Sequence, residues 1–261
     1  MTIIRHELRQ GRTSFLVGTC AVSFFLAVCV LIFPEFKDSM SAFNTLFASM
    51  GAFTAAFGMD KLNFGTLIGY YAIECGNVLG LCGAFYAALI SVSMLSKEEH
   101  DRTAEFLFTH PVSRKRVLTE KLAAIFLQIT AMNLIVYVVS VVSILLIGEP
   151  VPWKTLNLLH AAYLIMQYEL AGICYGISAF MRRGSAGAGL GAVVTLYVMN
   201  LAANMTGSAA FLKYITPYGY CDGAGIVSTG SLDGGMIAIG VSVGCAGIAA
   251  AYLHYLKKDI Q

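Results

Sequence analysis

Few side chains in this sequence could do chemistry, and most of those lie inside apolar runs. Apart from His160, Glu169 is the one acid or base between Lys154 and Arg182. A lone carboxyl in such a run must be protonated, paired or in contact with a wet cavity, because an unpaired buried charge is too costly. Two readings of Glu169 stay open. It could contact a substrate or relay a proton or cation. It could equally make an interhelix hydrogen bond, with Gln128 or Asn133 as candidate partners. Glu74 is expected at the outer end of its apolar run. Asn200 and Asn204 read as packing residues, and the Asn204-Met-Thr206 sequon is discounted at a helix end near the membrane. Ser185 could be a nucleophile only beside a base. The available histidines, His160 and His254, fall at opposite ends of separate runs, too far apart also to suggest a metal. Cys20, Cys29, Cys75, Cys82, Cys174 and Cys245 lie in apolar runs and Cys221 in a loop-like stretch, with no CxxC and no zinc spacing. They read as small buried hydrophobes. Gly187, Gly189 and Gly191 follow no strand and precede no Lys. They suit close helix packing, with Gly184 and Ala188, better than phosphate binding. The chain has no G-x-x-x-x-G-K-[ST], hence no nucleotide site of its own.

The elements that would position these residues follow from composition. Of 261 residues, 57% are hydrophobic and 12% charged, about half the charged share of a soluble domain. That excludes a soluble globule, disorder, collagen and coiled coil. The net charge of +2 and the lack of a basic stripe exclude nucleic-acid binding. A bilayer crossing takes about 20 apolar residues. Uncharged gaps of that size predict an all-α polytopic membrane protein, a single domain over 1–261. Six spans are expected, at about 14–33, 75–96, 121–147, 156–181, 185–205 and 234–256. The first is too long for a signal peptide and has no small-residue cleavage site after it. Thirteen of the seventeen Lys and Arg then fall on one side, which predicts both termini in the cytoplasm. A seventh span at 39–59 would put the six cations of 97–121 outside, against that rule. Phe43, Leu46, Phe47, Met50, Phe53 and Phe57 recur there at helical spacing, with Ser41, Asn44, Thr45, Ser49, Gly51 and Thr54 filling most other turns. The stretch reads as an amphipathic helix at the outer surface or packed on the bundle.

Residues 97–121 form the one long cytoplasmic loop and hold five of the fifteen acids. Ser96 and Glu99 fit a capping box. Thr103–Phe108 reads as a short helix with Ala104, Leu107 and Phe108 as its apolar face. Pro111 ends it, lacking an N–H and disfavouring helix before it. Ser113 can cap the next helix, which runs through Arg114–Arg116 into the third span. Apolar side chains ringed by charge suit docking on another protein. An ordinary basic loop would share the composition.

The loop resembles that of the permease subunits of type-2 ATP-binding-cassette exporters. The family pattern is an acidic stretch, a Thr, a Glu, an apolar pair, Pro-Val-Ser-Arg and a Lys. Here these are Glu98–Glu99, Thr103, Glu105, Phe106–Leu107, Pro111–Val112–Ser113–Arg114 and Lys121. Arg102 stands where the family often has Gly. The resemblance covers essentially the whole chain. It implies a coupling helix in the loop that docks on a separate ATPase, which carries the ATP and Mg. It further implies a second permease chain, identical or related, and no cofactor on this one. Residues 1–12, with Arg5, Arg9 and Arg12 around Ile3, Ile4 and Leu8, resemble the family's interfacial N-terminal helix. Residues 207–233, with Pro217, Gly219, Gly223 and Gly225, resemble its outer loop before the last span, often a re-entrant helix pair. A bacterial plasma membrane is the implied location. The expected cargo is a peptide antibiotic or another amphipathic small molecule.

Two other classes compete. Six spans and the Gly184-Ser185-Ala186-Gly187 run suit an intramembrane serine protease, but nothing would hold a nucleophile and base at mid-depth. A non-transporting anchor or sensor would leave a co-purified ATPase indifferent to this chain.

Overall fold

The computed structural model describes residues 2–37, 51–59, 61–97, 112–181 and 185–257. Its elements are all helical. Helix α1 (Thr2–Gln10) turns at Gly11 into α2 (Arg12–Lys37). The short α3 (Ala52–Ala56) precedes α4 (Leu67–Asn77), which runs through a π-helical segment (Val78–Gly83) into α5 (Ala84–Val92). The long α6 (Arg114–Leu146) and α7 (Trp153–Phe180) follow, then α8 (Ala186–Met205). A hairpin of two 3-10 turns (Gly207–Tyr214 and Gly219–Cys221) and α9 (Gly223–Thr229) leads to α10 (Gly234–Tyr255).

The helix ends are written in the sequence. Thr66 accepts from the Gly69 N–H, Ser113 from Arg116, Asp222 from Ala224, and Asp233 from both Gly235 and Met236. Each side-chain oxygen satisfies amides that the helix start leaves unpaired. Gly148 and Gly230, at φ 75° and 61°, end α6 and α9 in the left-handed conformation that glycine adopts without strain.

Five helices are long and apolar enough to cross a membrane: Arg12–Glu35, Leu67–Val92, Arg114–Leu146, Ala186–Met205 and Gly234–Tyr255. Two bounds differ from the sequence reading. The expected first span ends at residue 33, but α2 carries Pro34 in its last turn and ends at Lys37, whose ammonium meets Glu149 Oε1 at 2.6 Å. The second apolar helix starts at Leu67, well before residue 75, because Thr66 caps it and Glu74 is absorbed. Glu74 Oε2 accepts from Cys29 Sγ of α2 at 3.5 Å. It therefore lies two turns inside the helix, not at its outer end.

The sixth long helix, α7, is the middle of the bundle. Its buried side includes Leu159, Met166, Gln167, Glu169, Leu170, Cys174 and Tyr175. It packs most extensively on α10 and α5, while α6 lies between it and α2. The α7–α10 contact is made by backbone. A Cβ on Gly172 would lie 2.6 Å from the Gly244 carbonyl oxygen, and one on Gly176 2.7 Å from that of Gly247. The reverse holds too, since a Cβ on Gly247 would lie 2.6 Å from Gly172 O. Small residues at four-residue spacing allow helices to approach this closely.

The glycines singled out from the sequence behave differently. Gly189 does pack against Val92 and Ala88, but Gly187 meets only Ser185 and Gly191 faces open space. Cysteines also divide. Cys75, Cys174 and Cys221 are buried as expected, whereas Cys20 and Cys245 are exposed on their helices. Of the 39–59 stretch, residues 39–50 lie outside the described residues, and the structure describes only α3 and its flanks.

Replacing Gly176 by Leu should break the α7–α10 contact, at an overpacking cost of about 1–3 kcal/mol or more. The expected result is a lower unfolding temperature in detergent and loss of the monodisperse gel-filtration peak. Gly191→Leu, where no atom is within 4 Å, should leave both unchanged.

Candidate functional site

The charged residues converge at one end of the bundle, where residues 93–97 and the start of α6 form the two roots of the loop singled out above. Glu7 of α1 stands between those roots. Its Oε1 accepts from Lys121 Nζ at 3.0 Å, and its Oε2 from Lys97 Nζ in a short contact. Glu7 and Lys121 are 3% and 0% exposed, so this ion pair is nearly free of water. Lys121 also donates to Met94 O at 2.9 Å, and Lys97 to Gln10 Oε1 at 2.8 Å. Glu120 completes the knot. Its Oε2 accepts from the Ile3 and Ile4 amides at 3.1 and 3.3 Å, and its Oε1 from Arg116 Nε at 2.8 Å. A carboxylate on unpaired amides at a helix start is favourable twice over, through hydrogen bonds and through the helix dipole.

The same roots are fastened to α7 and α10. Leu95 N donates to Ser178 Oγ at 2.9 Å, and Tyr175 Oη to Leu118 O at 2.8 Å. Thr119 and Tyr252 share a 2.7 Å hydroxyl contact, and Arg114 Nη1 reaches Tyr255 O at 3.5 Å. The roots are thus hydrogen-bonded to α7 and α10 as well as to α1.

Of the sequence-singled loop residues, Glu98, Glu99, Arg102, Thr103, Glu105, Phe106, Leu107 and Pro111 lie outside the described residues. Val112, Ser113 and Arg114 are described, and Ser113 caps α6 as its position suggested. The sequence reading passed over Glu7, the one acid among the three arginines of residues 1–12. A lone acid facing loop-root lysines was the available signal.

The polar residues of the bundle pair differently from expectation. Glu169 Oε2 accepts from Tyr220 Oη of the hairpin at 2.8 Å. Gln128 and Asn133 are engaged elsewhere. Gln128 Oε1 accepts from Tyr86 Oη at 3.2 Å, and its amide packs against Gly11, the turn between α1 and α2. Asn133 Nδ2 donates to Gln167 Oε1 at 2.7 Å, and Gln167 Nε2 to Leu79 O at 3.3 Å. Leu79 belongs to the π segment, where a widened turn leaves carbonyls in need of donors. Gly83 makes room for this: a Cβ there would lie 2.3 Å from Gln167 Nε2. His160, buried on α7, meets Tyr71 Oη at 2.7 Å. None of these groups forms a nucleophile–base pair with Ser185, which precedes α8. These hydrogen bonds tie the helices of the bundle to one another.

Burial alone raises the Glu7 carboxyl, but the Lys121 and Lys97 ammoniums outweigh it and hold the group below the usual glutamate range. A carboxyl whose folded value is depressed stabilises above its unfolded value, and that stability is lost as pH falls through the folded value. Glu7→Gln removes the carboxylate shared by the two lysines, one of them fully buried, at a cost on the order of 3 kcal/mol near neutral pH. Thermal unfolding in detergent should show the wild type losing its margin over Glu7→Gln as pH drops below about 4.

The comparisons fit this all-helical, site-poor geometry. No curated protein matches the chain. Residues 1–259 match the family described as ABC-2 family transporter protein. With several helices apolar enough to cross a bilayer, the match makes this a multi-pass membrane permease component. The chain belongs to the ABC-2 transporter family.

Proposed function

We propose that the chain is the membrane-spanning subunit of an ATP-driven exporter. It works with a second permease chain and is driven by a separate ATPase docked on the 97–121 loop. The observation that carries this reading is the convergence of both loop roots, Lys97 and Lys121, on the buried Glu7. A loop whose two ends are fixed to one carboxylate moves α5, α6 and α1 together. ATP and Mg belong to the partner. This chain's work is mechanical, and its cargo must bind the two transport states differently for the cycle to couple.

In this reading α7 is also a span. At 28 residues it is about 42 Å long, and its polar residues His160, Gln167, Glu169 and Ser178 are buried against other helices. Six spans place both termini and the loop in the cytoplasm, in line with the Lys and Arg bias. The membrane is a bacterial plasma membrane, and the cargo a peptide antibiotic or similar amphipathic molecule. The docking contacts are Glu98, Glu99, Arg102, Thr103, Glu105, Phe106 and Leu107, with Pro111 ending the short helix and Val112, Ser113 and Arg114 leading into α6.

Affinity purification in mild detergent tests this. The wild type should bring down an ATPase in stoichiometric amount. Glu105→Arg and Phe106→Ala should lose it, or leave its hydrolysis uncoupled from cargo. A folded wild-type chain with no ATPase partner would refute the proposal.

A further inference from the structure

At the end of the bundle away from α1, a small cleft of about 70 Å³ with an open mouth lies between α3, α4, α8 and the hairpin. Its lining is polar for a protein embedded in apolar surface. Asn77 and Asn200 face it, as do Tyr197 and Tyr218, with Lys213 and Asp222. Several of these groups are unused. Tyr218 is 5% exposed, yet its hydroxyl has no hydrogen-bond partner among the described residues. A buried hydroxyl left unpaired costs about 1–3 kcal/mol and is accounted for by a missing partner. The amides of Asn77 and Asn200, and the Lys213 ammonium, likewise make no hydrogen bond or ion pair among the described residues. Asp222 uses Oδ1 to cap α9, accepting from Ala224 N at 3.2 Å.

The frame around these groups is stiff. A Cβ on Gly219 would lie 2.0 Å from Lys213 O, and one on Gly223 2.9 Å from Ala72 O. The hairpin is therefore closed on itself and pressed against α4. Asn204 Nδ2 donates to Ala56 O at 3.1 Å, tying α8 to α3. Tyr197 stands edge-on to Tyr218 at 5.3 Å. Groups held this way are preorganised, which lowers the cost of binding.

The chemistry selects the ligand. Asparagine amides and a tyrosine hydroxyl both donate and accept, which suits peptide groups or sugar hydroxyls. A cation and a carboxylate in the same cleft are of no use to a neutral sugar. They match a molecule that carries an anion and an ammonium, and the tyrosine faces offer area for an apolar side chain. We propose that this cleft is a binding site for a short zwitterionic peptide, with Lys213 toward its carboxylate and Asp222 toward its ammonium.

Binding is read on the full chain in phosphatidylglycerol nanodiscs, which present no zwitterionic headgroup. The probes are the tripeptide Ala-Phe-Ala, the same peptide acetylated and amidated, and maltose, followed by saturation-transfer NMR and calorimetry. The tripeptide should bind saturably, the capped form about tenfold more weakly, and maltose not at all. Tyr218→Phe, Asn200→Ala and Lys213→Gln should each weaken tripeptide binding by about threefold or more. Tyr218→Phe keeps the ring and should keep the wild-type unfolding temperature, so that its loss reads the hydroxyl alone. Absence of saturable tripeptide binding to folded wild type would overturn the proposal. So would capped peptide or maltose binding as tightly, or variants binding like wild type. The assay needs no ATPase, so its failure and that of the exporter reading are separate results.

Discussion

Helices α7 and α10 meet backbone to backbone. At Gly172 and Gly176 of α7, and Gly244 and Gly247 of α10, no side chain separates the helices. In lipid the hydrophobic effect gives helices little reason to associate, so packing of this kind must do it. Much else depends on it. Gly240, one turn further along α10, leaves room for the Glu169 carboxylate, and a Cβ there would lie 2.2 Å from Oε2. That space lets Glu169 point toward the hairpin and accept from Tyr220. The same contact brings the end of α10 beside α6, where Tyr252 and Tyr255 meet Thr119 and Arg114.

From that packed centre two polar regions diverge. At one end, the buried Glu7–Lys121 pair and the half-buried Lys97 tie the loop roots to α1. At the other, the hairpin of Gly207–Thr229 closes over α4 and α7, with Tyr163 Oη donating to Cys221 O at 3.1 Å. Between them run Tyr86–Gln128 and Asn133–Gln167–Leu79, single hydrogen bonds across apolar packing. Each fixes the register of two helices at one point.

How much of this was legible in the sequence differs by residue. Apolar runs between charges marked the long helices, because lipid forbids charge over the same length that a helix needs to cross it. That logic misplaced the start of the second apolar helix at Glu74, since a carboxyl facing a neighbouring helix escapes the rule. The Ser113 cap was legible because it depends on residues three apart. Glu169 was rightly marked as needing a partner, but Tyr220 lies 51 positions away and no local pattern pairs them. Gly172 and Gly176 were hidden in plain composition, while the more conspicuous Gly187–Gly191 cluster proved mostly open. A glycine acquires its meaning from the opposing surface, which one strand of sequence does not display. Glu7 was missed for the same reason: its value lies in two lysines about 90 and 114 positions away.

The π segment at Val78–Gly83 has a consequence for anyone who maps this protein by labelling. One widened turn inserts an extra residue into what is otherwise a continuous helix from Leu67 to Val92. Each residue of an α-helix advances the azimuth by about 100°, so the two halves are out of phase by roughly that angle. A face drawn through α4 at constant 3.6-residue spacing arrives in α5 on the wrong side. Accessibility patterns before Val78 and after Gly83 must be phased separately, or lipid-facing and core-facing positions will be exchanged.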